Sequence, residues 1–310
     1  MGNVLITGCG GFIGSYLAEL MLEKGHKVYG SVFASTENIE HISDKITILR
    51  TDMTDKEQID AAIKQSVPDI IFHLAAQSFV LPSWKDIEGT LDINVLATIH
   101  LFEAVRKAGI NPVIVFASSS AGYGLTREDE VPIKEDKEFR PSSPYAVSKI
   151  SADMFFYIYW RAYGMKIIRA RIFNTIGPRK KGNAISDFAR MIIGAEDGGK
   201  ITVGNLDPVL DFTDVRDTAN ALRILAEKGA HGDAYNVCSS KGRKISDVLD
   251  TMVSLSGKDI SIEQDKSKFR PADDPIFVGD NTKLKGIGWQ PVVSIEKSLK
   301  DTLDYWRNFA

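Results

Sequence analysis

Short apolar runs alternate with amphipathic stretches through the first half of the chain. Val4–Thr7 reads as a buried strand, and Phe12, Ile13, Tyr16, Leu17, Leu20 and Met21 then recur at helical spacing. Lys27–Val32, Ile46–Leu49, Ile70–Leu74 and Val113–Ala117 read as further strands with helical patterns between them, and Ile167–Arg171 as one more. Alternation of this kind predicts a parallel sheet covered by helices on both faces. After Gly177-Pro178 glycine and proline punctuate more often, elements shorten, and the pattern becomes mixed. Met154–Trp160 is apolar on every side of its predicted helix. One face can pack on the sheet; the other needs a partner, and a second copy of the chain would supply it, so a homodimer is expected.

Composition narrows the class. The chain has 310 residues, 44% hydrophobic and 25% charged, with a formal net charge of -3. That is ordinary globular usage with a sizeable core. Nothing in the charge draws the protein to nucleic acid or an anionic membrane, and no apolar run approaches a membrane span. Cys9 and Cys238 form no disulfide framework and are read as reduced thiols of a cytoplasmic protein. The histidines never pair at metal-ligand spacing, so no metal site is expected.

The first strand runs into Thr7-Gly8-Cys9-Gly10-Gly11-Phe12-Ile13-Gly14. Gly8, Gly11 and Gly14 suit a tight turn, a close approach of backbone to a pyrophosphate, and close strand–helix packing; the helix that follows offers free N–H groups to an anion. The position between a first strand and an amphipathic helix is what gives this spacing meaning. The expected fold class is therefore α/β, a Rossmann-type doubly wound parallel sheet over residues 1–174. A smaller mixed α/β substrate-binding domain follows over 175–310, some segments of which return to the main sheet. At the end of the second strand, Val32 and Phe33 stand where an acid would bond a ribose 2′-hydroxyl, and neither an acid nor an arginine is there. Ser31, Ser35 and Thr36 could bond a 2′-phosphate instead. This tips the coenzyme from NAD toward NADP. Asp52, after the third strand, could accept from an adenine amino group or cap the next helix.

Tyr145-Ala146-Val147-Ser148-Lys149 puts a phenol and an ammonium on one helix face. A phenol with its ordinary pKa near 10 is a poor acid or base at neutral pH, and a nearby ammonium and an oxidised nicotinamide both favour the phenolate. Ser118-Ser119-Ser120 follows directly on a strand, at the carboxyl edge where parallel sheets bind ligands. A hydroxyl there can share a substrate oxygen with Tyr145, so Ser119, Tyr145 and Lys149 are the candidate catalytic residues.

These features together resemble the extended short-chain dehydrogenase/reductase family, in its sugar-nucleotide branch. The resemblance extends through His73-Leu74-Ala75-Ala76-Gln77-Ser78, Asn94-Val95, Arg171-Ile172-Phe173-Asn174, Asp211–Asp217, Tyr235-Asn236-Val237 and Arg270-Pro271. Ser186–Ala189 and Gly204-Asn205-Leu206 are similar to GDP-4-keto-6-deoxy-mannose reductases and GDP-mannose 4,6-dehydratases. The resemblance implies that the coenzyme lies against Gly8, Gly11, Phe12, Ile13, Gly14, Asp52, Met53, Leu74, Ala75, Ala76, Asn94, Tyr145 and Lys149. It implies a sugar nucleotide, GDP-linked, against Ser78, Ser120, Asn174, Arg179 and Arg270, with the Arg270 guanidinium on the diphosphate.

Two departures refine what it implies. Dehydratases of this branch follow the position of Ser119 with at least one acid, and here Ser120 and Ala121 follow, neither a useful acid near neutral pH. The acidic run Glu128–Glu130 lies further along the same loop. Relatives also place an arginine before Asp-Phe-Thr, where this chain has Leu210; Arg179, Lys180 and Lys181 are candidates to replace it. The implied activity is NAD(P)H-dependent reduction at C4 of a nucleotide-linked 4-keto-6-deoxy sugar. A 4-epimerase that retains NAD is the alternative, with a 4,6-dehydratase behind it. A catalytically silent nucleotide sensor has no need of the intact serine, tyrosine and lysine.

Overall fold

The computed structural model describes residues 1–269 and 275–309. Strands β1 (Asn3–Thr7), β2 (Lys27–Val32), β3 (Thr47–Arg50), β4 (Ile70–His73), β5 (Val113–Ser119) and β6 (Lys166–Ile172) alternate with helices α1 (Phe12–Glu23), α2 (Lys56–Ser66), α3 (Val80–Lys85), α4 (Ile87–Leu91), α5 (Ala97–Lys107) and α6 (Pro144–Tyr163). After β6 come β7 (Asn174–Ile176), α7 (Ala184–Gly194), β8 (Gly199–Val203), β9 (Val209–Asp214), α8 (Val215–Lys228), β10 (Ala234–Val237), β11 (Gly242–Lys244), α9 (Ile245–Ser256), β12 (Ile260–Gln264), β13 (Ile276–Phe277), α10 (Thr282–Gly286) and α11 (Ile295–Arg307).

The main sheet has the order β10-β6-β5-β4-β1-β2-β3 and every pairing in it is parallel. Its strands are near-continuous apolar runs because both faces are covered. On one face Leu17, Ala18 and Met21 of α1 meet Ala219, Leu222 and Leu225 of α8. On the other, Ile59 and Ile63 of α2, Leu101 and Val105 of α5, and Phe156 of α6 close the core. The order reverses between β1 and β4, which opens a crevice at their carboxyl ends. β5 runs on through Ser118 and Ser119, past the predicted end at Ala117. Residues after 174 contribute to this layer: α8 covers one face and β10 extends the sheet edge beside β6.

The smaller layer pairs β11, β9, β13 and β7 in one sheet and β12 with β8 in another. Phe188, Ile192, Leu249, Met252, Leu299 and Leu303 from α7, α9 and α11 fill its core. Among the described residues no helix is long and apolar enough to cross a membrane.

Helix α6 carries the tyrosine–lysine pair, and its start is fixed locally. The Ser143 hydroxyl accepts from Ala146 N, and Pro144 occupies the first turn, where its missing N–H costs nothing. Gly164 ends the helix at φ 64°. The apolar stretch expected over Met154–Trp160 divides in two. Phe156 and Tyr159 pack on Phe102, whereas Met154, Tyr157 and Ile158 are exposed by 39%, 44% and 50%.

Candidate active site

The glycine loop forms a tight cradle at the crevice. Gly8 sits at φ +71°, and a side-chain carbon there would come within 2.9 Å of Ala75 N. A carbon on Gly14 would collide with the Gly8 carbonyl, which locks strand and helix together. Gly11 N donates to Gly8 O at 3.0 Å, and Gly11 then caps α1 through extended backbone without a side chain. The first-turn N–H groups of α1, from Phe12 and Ile13 onward, face the loop without helical partners. Such a cradle fits a pyrophosphate.

β4 and its loop supply the next wall. Thr7 Oγ1 accepts from Leu74 N at 3.1 Å and Ala75 N at 3.2 Å, so these residues and Ala76 are held close against β1. Thr7 Oγ1 also meets His73 Nδ1 at 2.8 Å, and His73 Nε2 meets Thr98 Oγ1 at 2.9 Å. Burial and the Lys149 charge pull the His73 pKa down to about 3, so it stays neutral.

Asn94 lies in a π-helical turn over Asp92–Leu96, a wide turn common at functional sites. Its Oδ1 accepts from Gln77 N at 2.8 Å; its Nδ2 donates to Gln77 O at 3.0 Å and Ser148 Oγ at 2.9 Å. The amide is thus committed within the protein. Asn94 joins the β4 loop to α6.

Ser119 ends β5, and its Oγ accepts from Ala121 N at 3.1 Å. The Ser119 side chain lies near enough to the Tyr145 phenol to favour its ionised form, which brings the predicted pair together. Burial pushes the Tyr145 pKa up, and Ser119 only partly offsets this. The downward pull expected from Lys149 therefore does not outweigh desolvation in the protein's own groups. Lys149, one turn along α6, is 4% exposed and stands 4.3 Å from the centroid of Phe116. Burial brings its pKa down to about 7, against an upward pull from Asp153.

Asp153 anchors the same helix. Its carboxylate takes Arg169 Nη1 at 2.9 Å, Arg171 Nε at 3.2 Å and the Ser118 hydroxyl at 2.8 Å. Arg171 also donates to the Tyr123 hydroxyl at 3.0 Å, which in turn donates to Asn236 Oδ1 at 2.7 Å. Paired and hydrogen-bonded, these buried charges fix α6 against β5, β6 and β10.

The other predicted positions divide. Ser120 is buried beside Ser119, and Ser78 is exposed on the β4 loop. Asn174 donates to Asp211 O at 3.2 Å and so ties β7 to β9. Asp52 Oδ1 accepts from Thr54 N and Oγ1, and Asp55, not Asp52, caps α2. The Met53 side chain is buried in the core with Ile59 and Leu101. Ser31 points inward to Met53 Sδ, so it is no 2′-phosphate ligand. Arg179 Nη1 donates to Glu19 at 2.7 Å and to Ser15 at 3.1 Å, which ties its guanidinium to α1. Arg270 lies outside the described residues. The acidic run does not fold over the site as a free group: Glu130 meets Arg140 at 2.8 Å, and Asp129 meets Arg127 at 3.0 Å. One residue escaped the sequence reading. Arg50 ends β3 in register with Val32 and donates to Ala34 O at 3.4 Å, beside the loop where a 2′-phosphate would sit. Only the β2–β3 pairing reveals it.

Comparison with known proteins follows the same lines. The sequence model of a family described as GDP-mannose 4,6 dehydratase matches residues 5–302. A GDP-6-deoxy-D-mannose reductase of Pseudomonas aeruginosa is 30% identical over 311 residues, covering 99% of this chain and 97% of that protein. The solved structure of RMD from Pseudomonas aeruginosa complexed with NADPH superposes with a TM-score of 0.87 at 29% identity, covering 99% of this chain and 100% of that one. UDP-glucose 4-epimerase of Thermus thermophilus, in complex with NAD, gives a TM-score of 0.88 at 29% identity and covers 99% of both chains.

Proposed function

The chain belongs to the GDP-mannose 4,6-dehydratase family, and from that premise we propose that it is a reductase, delivering hydride from NAD(P)H to C4 of a GDP-linked 4-keto-6-deoxy-mannose. The observation that carries this reading is the surroundings of Tyr145. Ser119 supports the phenol, Lys149 is buried one turn away, and Ser120 and Ala121 follow Ser119 with no acid. Among the described residues no carboxylate shifts the Tyr145 pKa. Reduction needs one proton donor. Elimination of water needs two further groups, one to take the C5 proton and one to protonate the C6 hydroxyl, and serine and alanine serve neither.

A bound reduced nicotinamide supplies the hydride. The glycine cradle of Gly8, Gly11 and Gly14, with the N–H groups of Phe12 and Ile13, holds its pyrophosphate. Ser119 orients the C4 oxygen, and Tyr145 donates the proton that completes the hydroxyl. Raised by burial, its phenol stays protonated at neutral pH, the state a donor requires. Lys149 holds the nicotinamide ribose and places a positive charge beside the phenol as it loses its proton. Ser78, Ser120 and Asn174 face the sugar nucleotide.

Arg50 and the lack of an acid at Val32 and Phe33 favour NADPH, the coenzyme held by the Pseudomonas structure. The likeness to the Thermus epimerase supports a second reading, a 4-epimerase that keeps its NAD and returns hydride to the opposite face. Exposed Trp84, Val147, Met154, Tyr157 and Ile158 support a homodimer joined through α3 and α6. Two buried free cysteines suit a reducing cytoplasm.

The test against dehydration is incubation with GDP-mannose and oxidised coenzyme, followed by mass analysis. The expected outcome is unchanged GDP-mannose. A product lighter by one water would overturn the reductase reading.

A further inference from the structure

Helix α6 cannot satisfy its own first turn. Pro144, its first residue, has no N–H; Ala146 N donates to the Ser143 hydroxyl at 3.2 Å, and Val147 N to the Ser143 carbonyl at 3.0 Å. The N–H of Tyr145 is left without an acceptor in its own helix or cap. Another element supplies one. Ser83 of α3 is fully buried, and its Oγ accepts from Tyr145 N at 3.1 Å while donating to Val80 O at 2.6 Å. With its proton committed to Val80, the hydroxyl presents a lone pair to the tyrosine N–H.

The other end of the same residue is held from the same stretch of chain. The Tyr145 carbonyl accepts from Ser148 Oγ at 2.8 Å, and Ser148 Oγ accepts from Asn94 Nδ2 at 2.9 Å. Asn94 is closed onto Gln77 by two hydrogen bonds. Gln77 Nε2 donates to Thr90 Oγ1 at 3.2 Å, and Thr90 Oγ1 to Asp86 O at 2.6 Å. The connection between β4 and α5 thus grips the Tyr145 backbone at its N–H and at its C=O. The same connection carries Ser78, the candidate substrate contact.

Helix α3 depends on this grip. It is six residues long, its Val80, Leu81 and Trp84 are exposed, and Ser83 is its buried residue. A helix so short has little stability of its own. The bond from Tyr145 to Ser83 therefore seats α3 and the start of α6 on each other, and a shift of either moves the phenol relative to Ser119.

We propose that Ser83 is a positioning residue for the reaction: it sets the entry of α6 and, with it, the place of the Tyr145 phenol beside Ser119. It acts through the Tyr145 backbone. The proposal rests on the reading of Tyr145 as proton donor.

The experiment compares the full chain as wild type, Ser83→Ala, Tyr145→Phe and the double variant in the reduction of GDP-4-keto-6-deoxy-mannose by NADPH. Calorimetry gives the NADPH Kd of each, and hydrogen exchange the protection of the Tyr145 amide. Ser83→Ala removes one oxygen and adds no bulk. It is expected to lower kcat by about 10- to 100-fold, the scale of a small misplacement of a catalytic group, with the NADPH Kd within about twofold of wild type. In the Tyr145→Phe background the same substitution is expected to cost less than about threefold, because the group it places is gone. Unchanged kcat in Ser83→Ala overturns the proposal. An equal loss in both backgrounds overturns it too, by making Ser83 a residue of the fold with no specific action on the phenol. If wild type leaves the keto sugar unreduced, the reductase reading fails, and amide exchange decides Ser83 alone. Tyr145 exchange faster by about tenfold or more in Ser83→Ala supports its seating of the tyrosine, and unchanged exchange overturns it.

Discussion

The Lys149 ammonium stands 4.3 Å from the centre of the Phe116 ring, inside the core that backs the site. This is a costly place for a charge, and its pKa of about 7 reflects that cost. An unfolded lysine binds its proton up to a pH of roughly 10.4. Between these values the unfolded chain holds the proton more firmly than the native one, so the penalty is full below about pH 7 and fades as the pH rises. Lys149→Met removes the penalty. Its melting temperature at pH 6 is expected to exceed wild type by a few degrees, with the gap narrowing toward pH 10, while turnover falls. Thermal unfolding across that pH range checks it; a variant less stable than wild type at pH 6 would show that the charge is stabilised by partners and that burial does not dominate.

Arg50 is expected to read the coenzyme. Arg50→Ala should lower the ratio of kcat/KM for NADPH over NADH by about tenfold or more, the loss of one charge-assisted contact to phosphate. The two coenzymes compared on one substrate give the ratio directly. An unchanged ratio would remove Arg50 from coenzyme selection.

The framework of this site was legible in the sequence because its signals are local. Strand periodicity, the Gly8–Gly14 spacing and the Tyr145–Lys149 turn each lie within a few residues, and each sits in the element expected of it. What stayed hidden depends on partners distant in the chain. Arg50 gains meaning only through the parallel pairing of β3 with β2. Asn94 is revealed as a clasp only when Gln77 and Ser148 close around its amide. Arg179 pairs with Glu19, far back on α1, a contact that no local pattern marks. That some later segments return to the main sheet is expected from the sequence; that they are α8 and β10 is not, because apolar periodicity marks a buried face without saying which sheet buries it.

The exposed stripe of Met154, Tyr157 and Ile158 on α6 predicts self-association. Sedimentation equilibrium at micromolar concentration is expected to give twice the chain mass. Ile158→Glu, which places a charge in the middle of the stripe, should shift the protein to monomer without unfolding it. A monomeric wild type would contradict the second-copy assignment.

The most direct test of the central claim is mass analysis of GDP-4-keto-6-deoxy-mannose incubated with NADPH and either wild type or Tyr145→Phe. The account predicts a product heavier by two hydrogens, formed with matching oxidation of NADPH, and a rate about 10²–10⁴-fold lower for Tyr145→Phe, whose coenzyme affinity is unchanged. Wild type that leaves the keto sugar and NADPH untouched, or a Tyr145→Phe variant as fast as wild type, would contradict it.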